Sequence, residues 1–288
     1  MKLKKYIKNK LVNIADYRVT QYYKKKLVLS ERISLVELSD KNCLDLVTIA
    51  FNNPTVIEYQ IRLLKVFMKD PYHYTVADNS NNDDRSNRIR EICRRENVPY
   101  MKLPSCPYCK IPGEGSNAHG ASLNYIYRNF FLKRKAKFCG FLDHDIFPVQ
   151  NIEIIPILKK QHFYGWMHNM NQIKYRWSGL CFFQFDFLKK NHVDFRPLWD
   201  MGGDTGAANY HSLYRPYLKK IANYQLLECV RKQLWQGNDV QGDMYSVIGE
   251  KWLHMNNASE WKKVDGFHKK ELRIYQMLDE FVDDSNLA

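Results

Sequence analysis

Asp143, His144 and Asp145 break an apolar run, KFCGFLDHDIFP, that otherwise reads as a buried strand. Alternate strand residues face the same side, so the two carboxylates can point together. Two carboxylates that close repel and raise a pKa unless a cation sits between them. A hard divalent ion with oxygen ligands meets that need, and it would also bind a diphosphate. The competing reading is a turn whose aspartates accept backbone amides. An Asp-x-Asp alone arises often by chance, so its place in the fold has to decide.

Cys106 and Cys109 form one Cys-x-x-Cys, in SCPYCK. A zinc site needs a second pair at ligand spacing, and the sequence has none. A thioredoxin-like motif would follow a strand and open a helix, whereas Pro107 and Pro112 argue for a loop. The pair is therefore read as part of a plain loop. The chain holds 7 cysteines, an odd number, and Cys43, Cys93, Cys139, Cys181 and Cys229 lie in apolar runs. That usage fits a reducing compartment with cysteine as a small hydrophobe.

The elements that must position these residues are legible as alternation. Residues 45–51 (DLVTIAF) read as a strand closed by Asn52, Asn53 and Pro54. Residues 55–68 carry Val56, Ile57, Ile61, Leu64 and Phe67 at helical spacing. A strand at 72–77, a helix at 85–97 and a strand at 98–103 follow. A loop rich in Pro and Gly spans 104–115, a helix 118–132, and a strand 138–142. This order argues a parallel sheet covered by helices, with ligands beyond the carboxyl ends of the strands. The rule puts Asn52-Asn53, Asp78-Asn79-Ser80 and Asp143-His144-Asp145 on one rim. Further on, strands are expected at 162–169, 177–185 and 244–248, and helices at 209–219 and 221–233. A glycine-rich acidic loop occupies 197–207, and the acidic tail is expected to be mobile.

With 288 residues and 45% hydrophobic content, the chain can bury one large core or two small ones. Its formal net charge of +13 favours a polyanionic partner: nucleic acid, anionic lipid or a phosphorylated substrate. Between Met1 and Ser30, Asp16 is the only acid among many lysines. Leu3, Ile7, Leu11 and Ile14 recur there at helical spacing, the pattern of a basic amphipathic surface helix or of a helix packed on the domain. No run approaches the roughly 20 apolar residues that span a bilayer, and the start lacks a secretory apolar region. A cytoplasmic location is expected, either free or peripheral on an anionic membrane face. Three parts are expected: a basic extension (1–40), a catalytic domain (41–265) and a C-terminal helix or tail (266–288). A nucleic-acid binder should interleave basic and aromatic residues, yet here the basic run lies outside the α/β core and the rim is acidic, so no nucleic-acid partner is expected. No GxxxxGK[ST] is present, which argues against a P-loop enzyme. A nucleotidyltransferase would show a glycine-rich Lys/Arg loop near the first strand, and VTIAFNNP is not one.

Four stretches in order, VTIAFNNP, YTVADNSNNDDRSNRIREIC, GSNAHGASLNYIYRNF and FCGFLDHDIFP, resemble nucleotide-sugar glycosyltransferases of the GT-A fold, in pattern most like the family 2 enzymes. The resemblance covers about residues 45–148 and implies an α/β, Rossmann-like, mostly parallel sheet flanked by helices. It implies that Ala50, Phe51, Asn53, Asp78 and Asn79 hold the base and ribose of the donor. It places Asn117, His119 and Asn124 near the donor, Asp145 on Mn²⁺ or Mg²⁺, Asp143 on ribose or metal, and His254 as a further metal ligand. Such enzymes often carry a Glu-Asp whose acid deprotonates the acceptor; this chain lacks it. Asp204 in MGGDTG is the nearest equivalent, with Asp200 and Asp243 as rivals. Asp204 as base implies an inverting displacement, while a retaining one stays open. Flanking glycines would let the backbone approach a sugar. Trp166, Trp177, Trp199, Trp252 and Trp261 could line an acceptor site or fill the core. The implied partners are a nucleotide-diphosphate sugar and a glycan or lipid-linked acceptor of cell-surface polysaccharide synthesis. The alternative from another class is a basic nucleic-acid- or membrane-binding protein without catalysis.

Overall fold

The structure is a computed structural model and describes residues 2–26, 28–29, 38, 40–170, 173–235, 244–256, 258 and 267–287. The chain begins with α1 (Lys2–Lys24) and β1 (Val28–Leu29). An alternating segment follows: β2 (Leu44–Ala50), α2 (Pro54–Phe67), β3 (Tyr72–Asp78), α3 (Asp83–Arg95) and β4 (Tyr100–Lys102). Next come α4 (Gly115–Ile126), α5 (Leu132–Arg134), β5 (Phe138–Asp143), β6 (Ile146–Pro148) and α6 (Ile155–Leu158). The second half holds β7 (Phe163–Met170), β8 (Ile173–Gln184), α7 (Phe185–Lys190), α8 (Leu218–Ile221), β9 (Cys229–Gln233), β10 (Met244–Ile248), β11 (Trp252–His254) and α9 (Phe267–Leu287).

The large sheet has the order β1-β4-β3-β2-β5-β8-β7. Its centre, β4-β3-β2-β5, is parallel, and β8 and β7 add antiparallel strands at one side. Helices α2 and α3 cover one face and α4 the other, which is why every residue of β2 is buried. This is the mostly parallel, helix-flanked α/β sheet expected from the alternation. Helix starts follow local chemistry. Asn53 caps α2 by accepting from Val56 N at 3.4 Å, with Pro54 in the first turn, and Asn82 caps α3 by accepting from Arg85 N at 2.9 Å.

Parallel register brings Ala50 beside Asp78 and Ile49 beside Asp143, so the polar clusters after β2, β3 and β5 share one rim. A second sheet, β6-β11-β10-β9, is antiparallel throughout. The chain crosses from the large sheet to the small one at Asp143-His144-Asp145. The triplet stands at the strand end, as expected: β5 ends at Asp143, and a turn through His144 and Asp145 leads to β6 at Ile146.

Three expectations change. Residues 221–233 are not a helix; Cys229–Gln233 is strand β9, whose register against β10 supplies the hydrogen bonds a helix would have made internally. Residues 209–219 form a run of π and 3₁₀ turns before α8, with Pro216 interrupting helical bonding. The acidic tail is the ordered helix α9, which buries Ile274 and Leu278 and stacks Tyr275 on Tyr59 of α2 at 4.6 Å. Helix α1 forms as expected but presents its apolar stripe outward. Ile7, Leu11 and Ile14 are about half exposed, while Ala15, Val19 and Tyr22 face the domain. The side chain of Leu3 lies outside the described residues.

Candidate active site

A cavity of about 690 Å³ opens on the rim. Phe51 and Asn52 line it after β2, Asn79, Asn81 and Asn82 after β3, and Asp143 to Asp145 after β5. The 104–115 loop contributes Tyr108, Cys109 and Gly113, and α4 contributes His119. Trp177 of β8, Asp204, Thr205, His254 and Asn256 complete the lining.

Ligand atoms of Asp143, Asp145 and His254 all lie within 4.8 Å of one another. Asp145 is buried, with Oδ1 at 3.4 Å from His254 Nε2 and Oδ2 accepting from Ala258 N at 3.2 Å. Burial by itself would raise its pKa. The adjacent His254 and His144 imidazoles and the Ala258 amide outweigh that and hold the carboxyl well below the usual carboxylate range. Asp143 is half-exposed, and its Oδ1 accepts from His144 N at 3.0 Å. Strand pairing delivers His254: β11 sets it opposite Ile146 of β6, and Met255 N donates to Asp145 O at 3.0 Å.

Gln60, which sequence reading passed over, fixes the turn. Its Nε2 donates to Asp143 O at 2.8 Å and Ile146 O at 2.7 Å, one on each side of the triplet. Its Oε1 accepts from Thr48 Oγ1 and Tyr74 Oη, both at 2.6 Å. The available signal was a glutamine on the apolar face of α2, between Ile57 and Ile61.

Asn52 ties the β2 and β3 ends together. At φ 52° its N donates to Ser80 Oγ at 2.8 Å, and its Oδ1 accepts from Asn81 N and Asn82 N, both at 3.2 Å. Asp78 sits behind that rim, wholly buried. Its carboxylate accepts from Ser80 N, Ser86 Oγ, Tyr100 Oη and Lys102 Nζ. Burial opposes the charge, but the Ser80, Ser86 and Lys102 partners lower its pKa. Asp78 thus builds the wall that Asn79 presents.

Of the residues singled out in the sequence, Phe51, Asn79, His119, Asp143, Asp145, Asp204 and His254 meet around one cavity. Ala50, Asn53, Asp78, Asn117 and Asn124 stand outside its lining. Asn53 turns to Ala258 O at 3.2 Å and Glu271 Oε1 at 2.9 Å. Asn117 Nδ2 donates to Glu114 at 2.6 Å. Asn124 bonds Asp194 Oδ1 at 2.7 Å and accepts from Phe195 N at 2.8 Å.

Asp204 reaches the cavity on a loop anchored to β8. Its N donates to Tyr175 Oη at 2.9 Å, and its Oδ1 accepts from Thr205 N at 2.7 Å. The glycines around it serve this anchoring. A Cβ at Gly206, where φ is +94°, would meet Ser178 Oγ at 2.3 Å, and one at Gly203 would meet Ala207 Cβ at 2.3 Å. Their close approaches are to the chain's own atoms, not to open sugar-binding space. Asp200 is exposed, and Asp243 lies outside the described residues. Trp177 lines the cavity and packs on Trp166 with centroids 5.3 Å apart. Trp252 is core, Trp199 is 54% exposed, and Trp261 lies outside the described residues.

No protein family matches the sequence, and no curated protein matches it. Solved structures do. One is the mannosyltransferase Ktr4p of S. cerevisiae (11% identity over 63% of this chain and 67% of that one, TM-score 0.35). Another is the mannosyltransferase PcManGT of Pyrobaculum calidifontis, solved with GDP-Man and Mn²⁺ (11% identity, 77% of this chain and 65% of that one, TM-score 0.40). A third is glucosyl-3-phosphoglycerate synthase of Mycobacterium tuberculosis, solved with Mn²⁺, UDP and glucosyl-3-phosphoglycerate (13% identity, 51% and 58%, TM-score 0.33). This chain spans 58% to 67% of the length of these three.

The donor set suits a hard or borderline divalent ion: two carboxylates and an imidazole. His254 Nδ1 is buried without a hydrogen-bond partner. The other ring nitrogen, Nε2, is the one that faces the Asp145 carboxylate, at 3.4 Å.

Proposed function

We propose that this chain is a metal-dependent glycosyltransferase that moves a sugar from a nucleotide-diphosphate donor to a glycan or lipid-linked acceptor. The observation that carries the reading is the convergence of Asp143, Asp145 and His254 at the rim cavity, with Asp145 held anionic. These three residues would hold Mn²⁺ or Mg²⁺, which when bound supplies positive charge against a diphosphate. Phe51, Asn52, Asn79 and Asn82 border the region suited to base and ribose: an aromatic face beside amide donors and acceptors. Asp204 is the proposed base. Among the described hydrogen bonds none engages its Oδ2, so that oxygen remains to take the acceptor hydroxyl's proton as the hydroxyl oxygen attacks the anomeric carbon. This is a single inverting displacement. Trp177 also borders the cavity, but it is buried with its ring against Trp166, His168 and His254.

Helix α1 gives the proposed route to the acceptor. Ile7, Leu11, Ile14 and Tyr17 form an outward stripe flanked by Lys10 and Arg18, which suits the surface of an anionic membrane. No described helix is long and apolar enough to cross a membrane. A role in cell-surface polysaccharide synthesis on the cytoplasmic face fits this placement.

The deciding experiment is calorimetric titration with UDP, GDP, CDP and dTDP, each with and without Mn²⁺, on the wild type and on Asp145→Ala. Binding of one nucleotide that requires both the metal and Asp145 supports the reading and names the base. Binding of none overturns it.

A further inference from the structure

We propose that Cys106 and Cys109 form a reversible dithiol/disulfide pair in the wall of the cavity, and that nucleotide binding requires the dithiol. The second half of this inference rests on the glycosyltransferase reading; the first does not.

The geometry begins with a turn. Cys109 N donates to Cys106 O at 3.1 Å, closing a β-turn over Pro107 and Tyr108. Such a turn keeps its end Cα atoms within about 7 Å, and a disulfide bridges about 4.4–6.8 Å. The two cysteines differ in access. Cys106 is buried, its Sγ against Ala118 O at 3.9 Å. Cys109 is half-exposed and lines the cavity, its Sγ toward Asn79 Oδ1 at 3.7 Å. A reagent in the cavity therefore meets Cys109 first, and Cys106 waits behind it as the resolving thiol.

Of the other thiols four are buried, and the half-exposed Cys229 has its pKa raised by burial rather than lowered. Cys43, Cys93, Cys139 and Cys181 are buried, and burial pushes Cys43 up to about 11 and Cys93 up to about 12. Cys109 is drawn the other way by its hydrogen bond with the Cys106 thiol, so it is the more readily ionised. All the cysteines are free thiols in the structure.

The step uses a low-molecular-weight disulfide as oxidant. The Cys109 thiolate attacks one of its sulfurs, that S–S bond breaks, and one small thiolate leaves. Cys106 then yields its proton to water and attacks the Cys109 sulfur, releasing the second small thiolate. Two protein thiols are oxidised and one small disulfide is reduced to two thiols. Closing the bridge turns the Cys109 sulfur from Asn79 toward Cys106. Asn79 loses that contact, and the turn carrying Tyr108, another lining residue, tightens.

The test treats the full chain with oxidised glutathione under native conditions, maps disulfides by mass spectrometry without reduction, and titrates each state with UDP and GDP in Mn²⁺. The expected map shows a Cys106–Cys109 bridge ahead of any other pairing. Nucleotide affinity should fall by about tenfold or more, the equivalent of about 1.4 kcal/mol, and return with dithiothreitol. Cys106→Ser should stop at a glutathione adduct on Cys109. Absence of the bridge in the wild type overturns the pairing. A bridged protein that binds nucleotide as tightly as the reduced one overturns its effect on binding. If the reduced wild type binds no nucleotide, the glycosyltransferase reading and the binding effect both fail, while the peptide map still decides the pairing.

Discussion

Asp145 Oδ1 and His254 Nε2 stand 3.4 Å apart, one on the turn that leaves the large sheet and the other on the last strand of the small one. Neither sheet alone contains the site; the β6–β11 pairing assembles it. His254→Ala should therefore weaken Mn²⁺ affinity by at least about tenfold. His254→Gln should recover little, since an amide is a poorer ligand than imidazole. Isothermal titration with Mn²⁺ alone reads both variants, and an unchanged affinity would remove His254 from the ligand set.

Gln60 makes a second prediction, on stability. Gln60→Leu keeps the volume but strands Asp143 O, Ile146 O and the Tyr74 hydroxyl, while the Thr48 hydroxyl keeps Leu142 O at 2.9 Å. Each buried unsatisfied group costs about 1–3 kcal/mol, some relieved by local shifts, so a loss of about 3 kcal/mol or more is expected. Urea unfolding measures it. Because the clamp holds both sides of the Asp143–Asp145 turn, Mn²⁺ affinity should fall in the same variant at temperatures where it stays folded.

The contrast between these residues shows what the sequence made legible. The parallel centre was readable because β2, β3 and β5 are short apolar runs separated by helices of clear 3.6 periodicity. Asp143 and Asp145 stood out because carboxylates are out of place in such a run. Their place at a strand end was readable too; the second sheet that pairs β11 with β6 and so brings His254 to them was not, since that pairing joins segments far apart in the chain. Gln60 stood out only as a glutamine on an apolar helix face; the two carbonyls that its amide clamps, Asp143 O and Ile146 O, come from distant chain. Asp78 was legible as a rim residue, but not that Ser86, Tyr100 and Lys102 would enclose its carboxylate. The 221–233 segment failed for a related reason: its strand exists only through pairing with β10.

His168 gives a pH prediction. Burial lowers its pKa to about 4, against the opposing pull of Asp204. Its Nε2 is buried without a partner, and its Nδ1 lies 3.3 Å from Tyr175 Oη. With an unfolded value near 6.5, the unfolded chain takes up the proton first as pH falls. Stability is thus unaffected above about pH 6.5 and declines toward pH 4, by at most about 3 kcal/mol from this residue. An NMR titration of the folded protein should place the His168 midpoint well below 6. A midpoint near 6.5 would contradict the burial argument.

Helix α1 separates two faces by consequence. Its inner face packs Tyr22 on Tyr125 with centroids 5.1 Å apart, and Lys8 pairs with Glu114 at 2.8 Å. Replacing Ile7, Leu11 and Ile14 together with Ser should leave the thermal midpoint nearly unchanged, since all three are about half exposed. It should also weaken sedimentation with vesicles containing phosphatidylglycerol by at least about tenfold, given about 1.5 kcal/mol for each fully buried side chain. Val19→Ser should do the reverse, lowering stability with little effect on vesicle binding by the folded fraction. Equal vesicle binding by the triple variant and wild type would remove the membrane role of this face.

Asp204 carries the stereochemical consequence. Its loop is pinned through Tyr175 and through the tight packing of Gly203 and Gly206, so Asp204→Asn should keep the loop's backbone and remove only the proposed base. Nucleotide affinity in Mn²⁺ should stay within a factor of about two, while transfer should fall by about 10²–10⁴, the usual contribution of a positioned general base. A proton taken by Asp204 from an acceptor that attacks opposite the leaving diphosphate produces inverted anomeric configuration. NMR of the first product formed by the wild type reads that configuration directly. Retention, or wild-type rates in Asp204→Asn, would assign this carboxylate a purely structural part in the loop.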